Sequence, residues 1–574
     1  MSGTLFFLMN GMIRMKRFFV IALGCFCWVL TFGSACRKGQ TPSPPPTPPA
    51  SFGLGSVAVN GVSKGFTYLN VGRNPVLRFS FAAPVNPASV TNAVSFKDNT
   101  GSTVVYATTM DQNDSTVVIQ PSSALQAITP YTVSVSQALE STAGGNLQTA
   151  FDIQLTTALD STDKFPRIND SALLTLVEQQ TFGYFWAFGH PDCGMARERN
   201  TSGDVVTTGG SGFGIMAIVV GVYRSFISRA DGLARVQQIV TFLTDSAQRY
   251  HGAFSHWIDG ATGATVPFST EDDGADLVET AYMMEGLLTA RQFFNSATDS
   301  GEVHVRSAIN ALWTAVDWNW FRQNGQNTLY WHWSPDYAWS TNQQINGWDE
   351  ALITYVLAAS APDSSVPKMV YDDGWAGNGS IRNGNAYYGV TLPLGPAEGG
   401  PLFFAHYSFL GLDPRGLSDA YADYWVQDTA QATINYRYCV ADPLQYNGYS
   451  ADCWGLTASD DNVSGYSAHS PTNDLGIITP TAAIASLPYT PTASMNALRF
   501  FYYTLGDKIW GQYGFTDAFN LTNVWFATSY LAIDQGPEII MIENYRSGLL
   551  WNLFMSCPEI KTGLQNLGFQ TGSH

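Results

Sequence analysis

Charge is scarce in this chain, and positive charge is scarcest. Only 13% of the 574 residues are charged, and 28 Lys and Arg face 46 Asp and Glu, for a formal net charge of −18. Such a chain repels polyanions, so nucleic acid is excluded as a partner. Cysteine is sparse too. Past Cys36 only Cys193, Cys439, Cys453 and Cys557 remain, with no CxxC and no Cys/His cluster. Neither a zinc site nor a redox site is expected, and no metal or cofactor. Cys439 and Cys453 either pair in an oxidising compartment or stand as buried thiols. Beyond residue 32 no apolar run is long enough to span a bilayer.

Aromatic residues are plentiful, with 16 Trp, 27 Tyr and 34 Phe, and hydrophobic residues make up 45% of the chain. That content fills a large core and excludes bulk disorder. A surface poor in charge and rich in rings suits a neutral, hydroxyl-covered ring ligand, stacked on aromatics and held by amides and carboxylates. The N-terminus reads as an export signal over residues 1–35. Met15-Lys16-Arg17, the expected start, precedes an apolar run from Phe18 to Phe32 and small residues up to Cys36. Gly33-Ser34-Ala35-Cys36 is similar to a lipoprotein signal, in which the cysteine is acylated, although Gly33 stands where Leu is usual. The alternatives are a lipid anchor at Cys36 and simple secretion. Residues 36–50, with TPSPPPTPP, form a stiff tether. The expected location is the periplasm, or the outer membrane of a Gram-negative bacterium as a lipoprotein, and the expected state a monomer.

Length alone suggests two domains. Residues 51–157 carry short alternating runs, at Val76–Phe81, Ser115–Ile119, Tyr131–Val135 and Phe151–Leu155, separated by turn formers. That pattern predicts a small all-β, antiparallel Ig-like sandwich. Residues 165–574 switch to helical period. Apolar positions recur at i, i+3, i+4 over Ala172–Phe188, Gly214–Ser228, Leu233–Tyr250, Ala275–Phe294, Val303–Phe321 and Glu350–Ser360. Further helices are expected at Ser418–Ala432, Ala493–Trp510, Ala518–Leu531 and Glu538–Phe554. A β/α barrel is excluded. An all-α (α/α)6 toroid and an irregular helical fold both remain open on helix count.

Glycoside hydrolysis needs a protonated carboxyl for the leaving oxygen and a carboxylate that activates water or attacks. Three places offer carboxylates near aromatic, Gly-rich loops. Asp272, Asp276 and Glu279 share one face at the start of a helix. The helix dipole accounts for one or two acids there, and three on one face favour function. Glu350 follows Trp348 at another helix start, after the loop carrying Trp331 and Trp333. An apolar setting of that kind raises a carboxyl pKa, while a plain capping role is equally open. Asp534 precedes Gly536-Pro537 in an apolar stretch, as a buried cap or a site residue.

Several long motifs occur in one order: TFGYFW at Thr181–Trp186, HPDCGMARER at His190–Arg199, GGSGFG at Gly209–Gly214 and GWDE at Gly347–Glu350. GPLF at Gly400–Phe403, WGLTASD at Trp454–Asp460, GFTDAFN at Gly514–Asn520, DQGP at Asp534–Pro537 and IENYRSGLLW at Ile542–Trp551 complete the set. With these motifs the chain resembles the bacterial glycoamylase-like family, which includes β-1,2-glucanases and β-1,2-oligoglucan sophorohydrolases. The resemblance implies an (α/α)6 toroid, no metal, inversion at the anomeric carbon, and a cleft lined by Asp272, Asp276, Glu279, Glu350 and Asp534. The expected roles are Glu350 as general acid and Asp534 as base, with Glu279 the alternative acid. Asp272, Asp276, Arg197, Trp348 and Trp333 are expected to bind substrate, a glucan. Three other functions are weighed against this one: an α-glucan hydrolase, a non-catalytic glycan-binding lipoprotein, and a polysaccharide lyase. The lyase needs a basic cluster that this acidic chain lacks.

Overall fold

The computed structural model describes residues 49–572; the signal, Cys36 and nearly all of the tether lie outside the described residues. Eight strands build the first domain: β1 (Leu54–Val59), β2 (Thr67–Val71), β3 (Leu77–Phe81), β4 (Val94–Asp98), β5 (Tyr106–Asp111), β6 (Thr116–Pro121), β7 (Pro130–Val135) and β8 (Phe151–Thr157). They form two four-stranded sheets, ordered β1-β3-β6-β5 and β2-β8-β7-β4. Alternation drives the packing. Leu77, Phe79 and Phe81 of β3 point inward while Arg78 faces out. The inner faces meet in a core that includes Phe79, Phe96, Ile119, Val133 and Ile153. The expected sandwich is present with one difference: edge strand β2 pairs with β8 in parallel.

The second domain is helical. Its main helices are α1 (Asp170–Trp186), α2 (Thr208–Tyr223), α3 (Arg229–Asp245), α4 (Leu277–Phe293), α5 (Ser300–Ala315), α6 (Leu352–Ser360), α7 (Tyr424–Ala441), α8 (Pro480–Ala485), α9 (Pro491–Arg499), α10 (Ala532–Ser547) and α11 (Pro558–Leu567). An inner ring runs α2, α4, α6, the tight turns Leu402–Ala405 and Tyr407–Phe409, α8 and α10, and α10 closes it against α2. His406 Nε2 and Ser486 Oγ, 3.0 Å apart, join the turns to α8. An outer ring of α1, α3, α5, α11, α7 and α9 packs on it, which makes the domain an (α/α)6 toroid. Inner helices are buried nearly all round, with every residue of α6 buried, whereas outer α3 buries one stripe that includes Val236, Ile239, Val240 and Leu243. Glycine sets the closest crossing. A Cβ on Gly212 would lie 2.1 Å from the Tyr282 carbonyl oxygen, and one on Gly286 2.1 Å from that of Gly212.

One expected helix is absent. Residues 518–531 form a ribbon of Phe519–Asn520 against Trp525–Phe526, because Asn520 Oδ1 accepts the Asn523 N–H (3.0 Å) and turns the chain. Conversely, α8 and α11 were not expected, although each begins with proline at its first position. The join between domains is packed. Phe165 stacks on Tyr502 at 4.6 Å, and the Lys164 N–H donates to the Tyr503 carbonyl (2.7 Å). All four described cysteines are free and buried.

Candidate active site

Four inner-ring segments point their N-terminal ends at one cleft of about 450 Å³. Its walls include Glu279 from α4, Glu350 ahead of α6, Tyr407 from the turns and Ile533 from α10, with Trp257, Phe268, Trp331 and Tyr466 supplying rings. Helix N-termini offer free N–H groups and a favourable dipole, so carboxylates gather there.

Asp276 is the N-cap of α4. Its Oδ1 accepts the N–H groups of Val278 (3.0 Å) and Glu279 (2.9 Å), and its Oδ2 lies 2.9 Å from His256 Nδ1. His332 Nε2 reaches both Asp272 Oδ2 (3.2 Å) and Asp276 Oδ2 (3.4 Å), because the strand pairing sets Asp276 opposite His332. Burial disfavours charge on His256, yet Glu279 and Asp276 around it raise its pKa to about 9. Burial likewise opposes the Asp276 charge, and the hydrogen bonds from His256 and His332 outweigh it, lowering the pKa. Asp272, buried and beside the Asp276 charge, rises to about 6. His256, Asp272 and Asp276 offer ligand atoms within 4.8 Å of one another, the spacing of a cation site, although imidazole nitrogens already face these carboxylate oxygens. Glu279 lies one turn on. Its Oε2 accepts the Gly209 N–H at 2.6 Å, and burial raises its pKa.

Glu350 sits half-buried in the turn before α6. The turn is pinned through its main chain, since the Glu350 carbonyl accepts from Tyr282 (3.1 Å) and from Ser408. Burial, with the charges of Glu279 and Asp276 nearby, raises the carboxyl pKa to about 7. Asp349 Oδ1 accepts the Ala351 N–H (2.8 Å) within the same turn.

On the opposite side Asp534, in the first turn of α10, is 4% exposed. It lines a small cavity that shares Phe403 and Tyr407 with the cleft. Burial, then the Asp517 carboxyl, pushes its pKa well above the usual range. Arg199 enters the cleft wall and binds Glu198 Oε2 (2.9 Å) and Asp460 Oδ1 (3.0 Å).

Glu279, Glu350, Asp272, Asp276 and Asp534 therefore surround one cleft, but Asp272, Asp276 and Asp534 stand behind its wall. Three expected substrate contacts lie elsewhere. Trp348 is 4% exposed, stacks near Phe409 and Tyr424, and donates its indole N–H to Gln431 (2.7 Å). Trp333 packs on Trp320 and His251. Arg197 donates to the carbonyls of Gly203 and Phe188. Aromatic and basic residue types alone do not say which way a side chain points, and Trp331 and Arg199, each two positions from an expected residue, take the wall instead. Accordingly W331A should raise KM several-fold with little change in melting temperature. W348A should cost about 3–5 kcal/mol of stability, the usual cost of emptying a buried Trp site. Kinetics and thermal melts of the two variants check both expectations, and a KM effect confined to W348A would reverse the assignment.

A glucoamylase family model, Glycoamylase, matches residues 342–558, and a bacterial Ig-like domain model matches residues 65–157. An exo β-1,2-glucooligosaccharide sophorohydrolase (non-reducing end) of Parabacteroides distasonis is 47% identical over 423 residues, 70% of this chain; the chain spans 58% of that curated relative's length. The endo-β-1,2-glucanase of Chitinophaga pinensis, solved with sophorotriose and glucose, is 49% identical with TM-score 0.69, covering 71% of this chain and 99% of that one. A β-1,2-glucanase structure from Parabacteroides distasonis, 37% identical with TM-score 0.69, covers 91% of this chain and 74% of its own.

Proposed function

The chain belongs to the bacterial glycoamylase-like family, and from that premise we propose that it hydrolyses β-1,2-glucan or its oligosaccharides with inversion. The observation that carries the reading is the pairing of Glu350, half-buried with a pKa raised to about 7, with the carboxyl of Asp534 across the cleft. Glu350 gives its proton to the glycosidic oxygen as the bond breaks. Water, relayed past Tyr407 to Asp534, adds to the anomeric carbon and gives up its proton on that side. Trp331, Trp257 and Tyr466 stack on sugar faces, and Arg199 and Glu198 bind hydroxyls. Glu279 holds its place through Gly209 and keeps negative charge near Glu350, which delays loss of the Glu350 proton.

Export and a lipid anchor at Cys36 accord with the leader's composition, and a monomer is the simplest assembly. The substrate test is direct. Purified protein incubated with β-1,2-glucan, amylose, laminarin and cellulose should generate reducing ends from β-1,2-glucan alone. Products from amylose alone would favour the glucoamylase reading instead, and binding without new reducing ends would leave a glycan-binding protein.

A further inference from the structure

Asp517 was not singled out by sequence, and the reaction as described leaves it unused. It lies in the loop between the short strands Gly514–Phe515 and Phe519–Asn520, and it is fully buried. Its main-chain N–H donates to the Ser529 carbonyl (2.9 Å), and its Oδ2 accepts the Asp460 N–H at 2.7 Å. The loop and carboxyl are thus fixed from two sides. That carboxyl faces the carboxyl of Asp534 closely enough for each to shift the titration of the other. Asp517 Oδ1 and Asp534 Oδ2 are buried, and no other group donates to them. Two carboxylates in such contact repel, and two acceptors cannot bond without a proton between them. Burial makes a lone carboxylate costly here, so a single shared proton is the state that satisfies both groups.

We propose that the base of this site is the Asp517–Asp534 pair acting as a monoanion, with Asp517 a positioning residue that holds one proton between the two carboxyls. This deepens the proposed function and rests on Asp534 being the base. The proton balance is simple. The attacking water forms its C–O bond at the anomeric carbon and passes a proton to the pair, which becomes neutral with two protons. Glu350 loses its proton to the departing oxygen and becomes carboxylate. One proton then leaves the pair to solvent and one returns to Glu350. The groups facing the pair are Asp460 and Tyr466 on the hairpin Ala458–Ala468, Arg199 with Glu198, and Tyr407 with His406 on the inner-ring turns. Among these Arg199 is the cation, and it bridges Glu198 and Asp460. The proton between the aspartates, more than a distant guanidinium, therefore moderates their repulsion.

The test compares D534N, D517N and D517S by kcat, KM, melting temperature and pH profile on β-1,2-glucan. Asn at 517 keeps an acceptor for the Asp460 N–H and a fixed donor for Asp534, so D517N should retain kcat within about tenfold. The amide donates a weaker hydrogen bond to the Asp534 carboxylate than the shared acid proton does, so the carboxylate is less favoured and the acidic limb of the kcat profile should move to higher pH. D517S loses the donor and should lose at least about tenfold in kcat with KM little changed. D534N should lose at least about 10²-fold. Wild-type rates and an unmoved acidic limb in both D517 variants would overturn the pair, whereas an active D534N would overturn the base assignment itself. If the D517 variants fail to fold, the wild-type profile decides. A shared proton splits the titration of the two aspartates into two separated steps, and two carboxyls that titrate together near about 4, the ordinary Asp value, would refute the pair.

Discussion

E350Q is expected to lose at least about 10²-fold in kcat, the usual contribution of a general acid, while KM and melting temperature stay near wild type. The glutamine is isosteric, and the contacts that hold the turn use the Glu350 main-chain carbonyl, which accepts from Tyr282 and Ser408. The side chain itself contributes little to the fold. What the variant removes is a proton. Burial, together with the negative charges of Glu279 and Asp276, lifts the carboxyl pKa to about 7. A general acid works in its protonated form, so kcat/KM of the wild type should fall as pH rises through about 7, and fall tenfold per unit above it. Removing a neighbouring charge moves that limb. E279Q takes away one of the charges that hold the proton on Glu350, so its alkaline limb should shift to lower pH. Steady-state kinetics between pH 5 and 9 read both effects. An E350Q enzyme keeping more than about a tenth of the wild-type rate would remove Glu350 as the acid, and the role would pass to Glu279.

How much of this site could be read from the sequence depends on how local each feature is. The cluster at the start of α4 was legible because Asp272, Asp276 and Glu279 fall within eight residues, but not as one helical face: Glu279 lies in the helix, Asp276 caps it, and Asp272 sits in the loop before it and meets Asp276 through His332. Most of the toroid's helices were legible from apolar positions at i, i+3, i+4, while their closure into a double ring came from the family resemblance. The other wall was not. Arg199 and Asp460 are 261 positions apart, and Asp460 and Asp517 are 57 apart, so only the closed ring brings them together. The histidines escaped notice for a similar reason: His256, in a bend, and His332, on a short strand, flank α4 from separate segments, and a lone histidine near tryptophans has no spacing signature. The Ig-like domain was legible from alternation. Arg73 pairs with Asp160 in the join and Arg78 with Asp111 of its own sheet, and the cleft wall begins at Glu198.

D276N separates charge from capping at the best-connected acid of the molecule. Asn is as good an N-cap as Asp, so the bonds to the Val278 and Glu279 N–H groups can persist through Oδ1. The amide nitrogen, however, now faces His256 and His332, which lose their buried counter-charge. Removing one partner of a buried pair typically costs about 3–5 kcal/mol, and the lower end applies because the His256 side chain keeps 22% exposure. The pH dependence identifies the cause. His256 has a folded pKa of about 9, raised above its unfolded value of about 6.5. Its contribution is therefore fully present below about pH 6.5 and is lost as pH rises through about 9. The stability gap between wild type and D276N should be widest near pH 6 and should narrow toward pH 9.5. Activity should fall as well, because Asp276 fixes the first turn of α4, which carries Glu279, and helps raise Glu350. Thermal melts at both pH values, read beside kcat and KM, decide the matter. A variant with wild-type stability at every pH and a selectively raised KM would mean that Asp276 meets the sugar directly, and the imidazole network would lose its role as the scaffold of this wall.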